Sequence, residues 1–287
     1  YRRVTSRETF TEGGLAASEE YSLYQTSPIA PGEPSTGVDV RRKSGGQVVA
    51  IERHLVGDSS QPTPCENCLD GEPLDGLSNG TISYDPSGIR LKASFNDWEH
   101  AGWAGVRNRS ETTELADITG PKIRKTEYAY DDFNNKTLVI ESDWGAGQPG
   151  PTLSVVERAF VTDPAYTTAA NLADVASWRH LRSLLDTETV RRTQQSAVES
   201  TTAWIYDQAP LTSASASGHD DAAFGPGRPQ RGNATLIRRS LLGTNTSVDI
   251  SLRYDILGNV IEFVDPEIER LQHEIARRLG YKLVDHR

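Results

Sequence analysis

Apolar and polar residues alternate along much of this chain. The clearest runs place apolar side chains at Ile89, Leu91, Ala93 and Phe95, and at Val248, Ile250, Leu252 and Tyr254. A period of two is typical of strands with one buried and one hydrated face, as in antiparallel sheets. Similar runs predict strands over residues 48–54, 123–130, 137–142, 153–160, 189–192 and 203–206. The pattern therefore predicts a mainly β protein built from antiparallel hairpins.

Residues that favour tight turns separate the predicted strands. Asn134-Asn135 and Gly258-Asn259 combine tolerance of positive φ with side chains that bond to nearby backbone, so each is predicted to reverse the chain. Three stretches lack periodicity and are predicted as loops, namely residues 27–36, 59–79 and 208–232. Residues 171–185 fit either a short helix or an irregular segment.

One helix is marked at both ends, over residues 266–279. Asp265 is a favourable N-cap, Pro266 suits the first helical position, and Gly280 is a favourable stop. The apolar residues between them recur at helical spacing, at Ile268, Leu271, Ile275 and Leu279. With strand-like residues before it and at 281–284 after it, this end of the chain is predicted to form a short C-terminal βαβ segment.

Composition excludes several classes of protein. The chain has 287 residues, with 30 Lys and Arg against 40 Asp and Glu and a formal net charge of −10. The length suffices for a core without disulfide or metal staples. The sequence contains no apolar run approaching the roughly 18 to 20 residues of a membrane-spanning helix, and its acidic balance disfavours nucleic acid as a partner. Because the chain begins with Tyr1 and contains no Met, we expect a fragment or a processed product.

A degenerate motif occurs at the predicted turns. Tyr130-Asp131-Asp132-Phe133-Asn134-Asn135, with Asp143 further on, matches Tyr254-Asp255-Ile256-Leu257-Gly258-Asn259, with Asp265 further on. A weaker copy begins at Tyr84-Asp85 and includes Gly88. In such a turn Tyr packs across the ladder, Asp and Asn bond to the backbone, and Gly takes the positive φ that most side chains resist.

These motif copies resemble the YD-repeat, or Rhs, family, whose pattern is Tyr-Asp-x-x-Gly-Asn followed by Asp. The resemblance extends over most of residues 1–265, and Asn134 stands at the usual Gly position. It implies a YD-repeat region at residues 1–259 with a curved antiparallel sheet, which in bacteria often forms a shell around a toxin polypeptide and in other members an adhesion surface. Such a wall needs no catalytic group.

Residues 260–287 resemble a different family, the dimerisation domain of ferric-uptake-type regulators. The resemblance implies metal ligands at Glu262, Glu269 and His286, with zinc or iron as the metal. The family's upstream His-rich stretch and Cys pair have no counterpart in residues 247–259, and no winged-helix DNA reader precedes them. The two resemblances meet at Asn259 and Val260, inside a unit of each family, which indicates either a chimeric or artificial sequence or two short similarities of which one is accidental.

Other candidate chemistry has a simpler alternative in each case. Cys65 and Cys68 have the spacing of a zinc or redox pair, with His54 and His100 as conceivable partners, but loop thiols or one local disulfide are the favoured explanation. Asp97, Glu99 and His100 lie beside Trp98 and Trp103, as in a sugar-binding or acid–base patch or simply a sheet margin. The sequence contains no phosphate-binding glycine loop and no nucleophile elbow.

We therefore expect a non-enzymatic structural or surface-binding protein, secreted or associated with the cell envelope. Its expected partners are other YD-repeat segments or an enclosed polypeptide, with carbohydrate as a further possibility. The alternatives are a fragment of a metal-dependent regulator and a carbohydrate-binding module using Trp98, Trp103 and Trp144.

Overall fold

A computed structural model describes most of the chain. The described residues are 6–11, 14–25, 36–44, 46–56, 65–66, 77–101, 105–116, 119–167, 181–214, 219–220, 225–228, 230–241, 246–266, 268 and 278. They are mainly β, which confirms the predicted fold class. No helix in these ranges is long and apolar enough to cross a membrane.

The strands are short to medium in length and are numbered in chain order. They are β1 (Ser6–Thr11), β2 (Gly14–Gln25), β3 (Thr36–Ser44), β4 (Gln47–Val56), β5 (Cys65–Glu66), β6 (Ser78–Tyr84), β7 (Arg90–His100), β8 (Val106–Leu115), β9 (Lys122–Tyr130), β10 (Lys136–Ser142), β11 (Gly145–Ala146), β12 (Thr152–Phe160), β13 (Leu185–Arg191), β14 (Val198–Tyr206), β15 (Ala234–Leu241), β16 (Ser247–Tyr254) and β17 (Val260–Val264). The alternating runs recognised in the sequence all lie wholly or largely in these strands.

The chain divides into two compact units, Tyr1–Val155 and Val156–Arg287, and the division point lies inside β12. In the first unit, β1 to β4 pair in sequence order as antiparallel neighbours. The antiparallel pairing continues through β4–β6, β6–β7, β7–β8, β8–β9 and β9–β10. Two short strands add to it, since β5 pairs parallel with β7 and β11 pairs antiparallel with β9.

The second unit repeats this pattern with fewer strands. Its described antiparallel pairs are β13–β14, β14–β15, β15–β16 and β16–β17. The hairpin of β16 and β17 joins residues on the two sides of the domain boundary expected at 259/260.

Apolar burial is modest, and polar side chains occupy several interior positions. In the first unit, Leu55, Ile82 and Ala93 form a buried cluster against which Tyr84 and Phe95 pack. In β8 the two buried residues are Ser110 and Thr113. The Thr113 hydroxyl lies 3.4 Å from that of Ser94 on β7. Because hydroxyl pairs fill part of the interior, a search for apolar alternation misses β8.

The described helical structure is slight. A single turn, α1 (Pro164–Thr167), is capped by Asp163, whose carboxylate accepts the N–H of Ala165 at 2.8 Å. At the C-terminal end Pro266, Ile268 and Arg278 are helical, which agrees with the predicted helix at those positions. The other residues of that helix and the strand predicted at 281–284 lie outside the described residues.

The predicted loops are described only in part. Residues 171–180 and 27–35 lie outside the described residues, and residues 181–184 form a turn leading into β13. The loop predicted over 59–79 was too long, because Cys65–Glu66 forms β5 and Ser78 begins β6. In these short strands backbone pairing occurs without an alternating apolar pattern.

Candidate functional site

The turn at residues 130–135 is held by one carboxylate. Asp131 Oδ1 accepts the backbone N–H groups of Phe133 and Asn135, each at 2.9 Å, and Asp131 Oδ2 accepts the Asn135 side-chain amide at 2.8 Å. The N–H of Asp131 donates to the Asn135 carbonyl at 3.0 Å, which closes the hairpin between β9 and β10. Asn134 has a φ of 65°, so the predicted positive-φ turn is confirmed at this position.

The turn at residues 254–259 has the same bonds. Asp255 Oδ1 accepts the N–H groups of Leu257 and Asn259, each at 2.9 Å, and Asp255 Oδ2 accepts the Asn259 amide at 2.9 Å. Gly258 has a φ of 84° and donates its N–H to the Asp255 carbonyl at 3.1 Å. The hydrogen bond from the Asn259 side chain is the main cause that lowers the pKa of Asp255 below its ordinary value.

The weaker copy at Tyr84 forms the same hairpin with a partial set of bonds. Asp85 Oδ1 accepts the Ile89 N–H at 2.7 Å, Gly88 has a φ of 87°, and its N–H donates to the Asp85 carbonyl at 3.0 Å. The Ser87 hydroxyl bonds to the Asp85 carboxylate and is the first cause that lowers the pKa of Asp85. Ile89 lacks the amide that Asn supplies at this position in the other turns.

In the 130–135 and 254–259 turns, the tyrosine before the aspartate anchors the turn to the preceding strand. The Tyr130 hydroxyl donates to the Asn108 carbonyl at 2.6 Å, and the Tyr254 hydroxyl donates to the Ala234 carbonyl at 3.1 Å. Burial raises the pKa of both phenols, so they remain donors across the ordinary pH range. The Arg107 guanidinium lies 4.7 Å from the Tyr130 ring centroid, a cation–π contact. Each motif thus fixes a turn and a strand pairing together.

A related arrangement, which no single stretch of sequence reveals, occurs at Asp207. Its carboxylate accepts the backbone N–H groups of Arg231, Gly232 and Asn233 at 2.8 to 3.0 Å. The Tyr206 hydroxyl donates to the Leu185 carbonyl at 2.7 Å, as the other motif tyrosines bond to a preceding strand. The useful sequence signal is a Tyr-Asp pair whose Gly-Asn partner stands much later in the chain.

The distal aspartates of the motif lie apart from these turns in the chain. Asp143 follows β10, where its carboxylate accepts the Trp144 N–H at 2.7 Å and its carbonyl accepts the Gly150 N–H at 2.8 Å. Asp265 follows β17 and precedes the helical Pro266. These hydrogen bonds of Asp143 therefore stabilise the turn that follows β10, and not the turn at Asp131.

Ion pairs join neighbouring strands in both units. They include Arg53–Asp39, Arg90–Glu114, Arg107–Glu99 and Arg109–Asp97 in the first unit, and Arg158–Glu188, Arg191–Glu157, Arg238–Asp249 and Arg253–Glu262 in the second. The Arg53–Asp39 pair is bidentate, at 2.8 and 3.1 Å, and both side chains are largely buried. These pairs specify strand register because a slip of one residue would separate the charges.

The candidate acid–base and sugar-binding residues lie within this framework. Asp97 accepts the Arg109 guanidinium at 2.7 Å, and Glu99 accepts that of Arg107 at 2.6 Å. Burial raises the pKa of Asp97. Trp98 lies opposite Asn108 in the β7–β8 pair, and in another part of the first unit the Arg124 guanidinium lies 5.3 Å from the Trp144 ring centroid. Trp103 lies outside the described residues.

Of the three candidate metal ligands, one, Glu262, lies among the described residues. Glu262 lies on β17, where it accepts the Arg253 guanidinium at 3.0 Å. Glu269 and His286 lie outside the described residues, as does Cys68. Cys65 lies on β5, and His54 Nε2 lies 3.3 Å from Glu52 Oε1 on β4. Within the described ranges, no three His, Cys, Asp or Glu residues are grouped as a metal site would require.

Comparison with known proteins gives a limited result. No family model matches this chain. A ferric uptake regulation protein from Rhizobium leguminosarum bv. viciae is 67% identical over 30 residues, which is 10% of this chain. The chain spans 21% of the length of that relative. The expected resemblance to ferric-uptake-type regulators therefore exists as a short local similarity.

Proposed function

We propose that this chain is a non-enzymatic structural wall made of YD-repeat hairpins, whose exposed strand edges and faces bind other segments of the same kind. The proposed setting is a secreted or envelope-associated shell, in which the partner is another repeat segment or an enclosed polypeptide. The recurrence of one turn at residues 84–89, 130–135 and 254–259, held each time by an aspartate, supports this proposal.

The chemistry of the turn motif is consistent with a structural role. In the 131–135 and 255–259 turns both carboxylate oxygens accept hydrogen bonds from the turn itself. A carboxylate used in this way fixes backbone geometry and has little remaining capacity to exchange protons with a substrate. The tyrosine hydroxyls are used similarly, on backbone carbonyls. The motif thus supplies hairpins in fixed register.

Strand β17 offers a surface for such an association. It pairs with β16, and in the described ranges no strand pairs with its other edge. Val260, Ile261 and Phe263 are each about half exposed, at 50%, 49% and 53%. A strand with an open edge and apolar side chains favours the addition of another strand. We propose that the occupant is a β-strand from a second copy of this chain.

Sedimentation velocity of the full chain over a range of concentrations tests this function. We expect a reversible increase in average mass with concentration. We expect Ile261→Lys to weaken this association by about tenfold or more, because a charged side chain on an edge strand opposes strand addition. The matched control is Ile89→Lys, which replaces an equally apolar side chain that is 61% exposed in the turn between β6 and β7.

A strictly monomeric chain at all concentrations would contradict the proposed association. Equal loss of association in the Ile261 and Ile89 variants would assign the effect to general surface hydrophobicity. Circular dichroism of both variants establishes that the β fold is retained.

A second candidate function is that of a metal-dependent regulator fragment. The 30-residue similarity to a ferric uptake regulation protein favours it. It requires metal binding by Glu262, Glu269 and His286, which zinc titration tests directly.

A further inference from the structure

We infer that Tyr206-Asp207 and Gly232-Asn233 form a fourth copy of the turn, split by an insertion that acts as a strap over the last turn. The insertion between Asp207 and Gly232 stands where residues 256–257 stand in the uninterrupted turn. The strap is the described part of this insertion, residues 208–214, 219–220, 225–228 and 230–231. This inference rests on the turn geometry and is independent of the proposed wall function.

The bonds that close this split turn match those of the continuous ones. The Asp207 N–H donates to the Asn233 carbonyl at 2.9 Å, as the Asp255 N–H donates to that of Asn259 at 3.0 Å. The Asn233 N–H donates to Asp207 Oδ1 at 3.0 Å, against 2.9 Å for Asn259 and Asp255. Gly232 has a φ of 77°, close to the 84° of Gly258.

One difference marks where the chain leaves the turn. Asp207 itself has a φ of 55°, whereas Asp131 and Asp255 do not have positive φ. The carboxylate still binds the far end of the insertion, since Asp207 Oδ2 accepts the N–H groups of Arg231 and Gly232 at 2.9 and 2.8 Å. A positive φ in a residue other than Gly is uncommon, and Asp is among the residues that tolerate it. The insertion therefore begins at a conformation suited to divert the chain.

The strap contacts the 254–259 turn at two points. Near its start, the Thr212 N–H donates to the Tyr254 carbonyl at 3.1 Å, and the Thr212 carbonyl accepts the Ile256 N–H at 2.9 Å. At its end, Arg231 Nη1 donates to the Ile256 carbonyl. The same guanidinium donates to two strap carbonyls, those of Gly225 at 3.1 Å and Arg228 at 3.2 Å. Both backbone polar groups of Ile256 are thus bonded to the strap.

Ile256 shows the consequence of these contacts. Its side chain is fully buried, although it occupies the first variable position of a turn. The equivalent residues of the continuous turns at 84–89 and 130–135, Pro86 and Asp132, are exposed. Among the described residues, neither of those two turns has a backbone hydrogen bond to an insertion like the one that contacts the 254–259 turn. The strap explains how an apolar residue is tolerated at this turn position. Burial of the Ile256 side chain in turn stabilises the contacts between the strap and the turn.

Deletion of residues 209–230 tests both parts of the inference in the full chain. The deletion leaves Tyr206-Asp207-Gln208-Arg231-Gly232-Asn233, a continuous copy of the motif. By hydrogen exchange, we expect the Asp207 and Asn233 amides to stay protected, because the shortened turn still closes. We expect the Ile256 amide to exchange about tenfold faster or more, because it loses its acceptor on Thr212.

Failure of the deleted chain to fold, or loss of protection at Asp207 and Asn233, would overturn the assignment of a fourth copy. Unchanged exchange at Ile256 in a folded deletion variant would overturn the strap. A milder variant tests the strap without the deletion. Arg231→Lys removes the multiple donors of the guanidinium, so Ile256 should exchange several-fold faster, whereas the matched change Arg239→Lys on β15 should have no effect. Equal exchange in the two lysine variants would also contradict the strap.

Discussion

The side-chain amide of Asn259 donates to Asp255 Oδ2 at 2.9 Å while its backbone N–H donates to Oδ1 of the same carboxylate at 2.9 Å. Asn135 and Asp131 make the same pair of bonds in the first unit. The carboxylate at the start of the turn thereby accepts both N–H donors of the asparagine at its end. The four-residue spacing lets one carboxylate accept both N–H donors of the asparagine within a single continuous turn.

The first prediction concerns the charge of Asp255. Its pKa is lowered from the ordinary 3.8, chiefly by the Asn259 side-chain bond. A lowered folded-state pKa means that the carboxylate stabilises the fold above its ordinary pKa, and that this stability is lost as the pH falls through the lowered value. Asp255→Asn should lower the unfolding temperature by a few degrees at neutral pH. The difference should shrink as the pH falls below the ordinary carboxyl pKa of 3.8.

Thermal unfolding of both proteins between about pH 7 and pH 2 checks this prediction. A difference that stays constant across that range would assign the effect to the shape of the side chain and not to its charge.

The second prediction concerns backbone conformation at Gly258, whose φ is 84° and where an added Cβ would meet no other atom within 4 Å. Gly258→Val should cost about 1 to 3 kcal/mol of unfolding free energy, because a β-branched residue resists positive φ. Gly258→Asn should cost less, since Asn134 occupies the equivalent position with a φ of 65°. Urea unfolding of the unchanged chain and of the two variants gives the free energies of unfolding to be compared.

Gly227→Val is the matched control for that series. Gly227 also has open space around it but does not have positive φ. A cost at Gly227 equal to that at Gly258 would show that the valine side chain, and not the turn conformation, is responsible.

The third prediction concerns the Asp39–Arg53 pair, whose side chains are 11% and 18% exposed. Arg53→Met should cost about 3 kcal/mol because it leaves a buried carboxylate without its bidentate partner. The double variant with Asp39→Asn should recover part of that loss. A double-mutant cycle by urea unfolding measures the coupling between the two residues.

The Arg238–Asp249 pair provides the comparison for that cycle. It has similar bidentate geometry, at 2.8 and 2.7 Å, but its side chains are 47% and 39% exposed. We expect much smaller coupling there because solvent screens the charges. Equal coupling in the two cycles would be evidence against burial as the source of the effect.

The fourth prediction is that the chain binds zinc weakly. Zinc prefers four close ligands, whereas Glu262, Glu269 and His286 offer three, and Glu262 is already paired with Arg253. Isothermal titration of zinc into chelator-treated protein should give weak or absent heat that His286→Ala leaves unchanged. Sub-micromolar binding abolished by that substitution would support the regulator function instead.

Several parts of the fold were predictable because the sequence carries a local physical signal. The alternating apolar residues from Leu91 to Phe95 identify β7, and Asn134 and Gly258 identify two turns. Strand β8 has no such signal, because its buried residues are Ser110 and Thr113. Contacts between hydroxyl side chains on neighbouring strands can be predicted only when it is known which strands pair.

The split turn at Asp207 was hidden for a different reason. Its two halves are separated by the insertion, so no window as short as the six-residue motif contains both Asp207 and Asn233. The ion pair of Glu262 was similarly hidden, because Arg253 becomes its neighbour only through the register of β16 and β17. The family resemblance predicts Glu262 as a metal ligand, whereas the hairpin pairing places the Arg253 guanidinium beside its carboxylate.

The order of the strands has a consequence for how the chain folds. In the first unit nearly every strand pairs with the next one in sequence, so few distant segments must meet before contacts become favourable. Pairing between sequence neighbours keeps the contact order lower than in β folds whose paired strands lie far apart, and a lower contact order favours faster folding. The aspartate-held turns give the chain several local sites at which strand pairing can begin. A substitution in one turn should slow the formation of its own hairpin and leave the other hairpins able to nucleate.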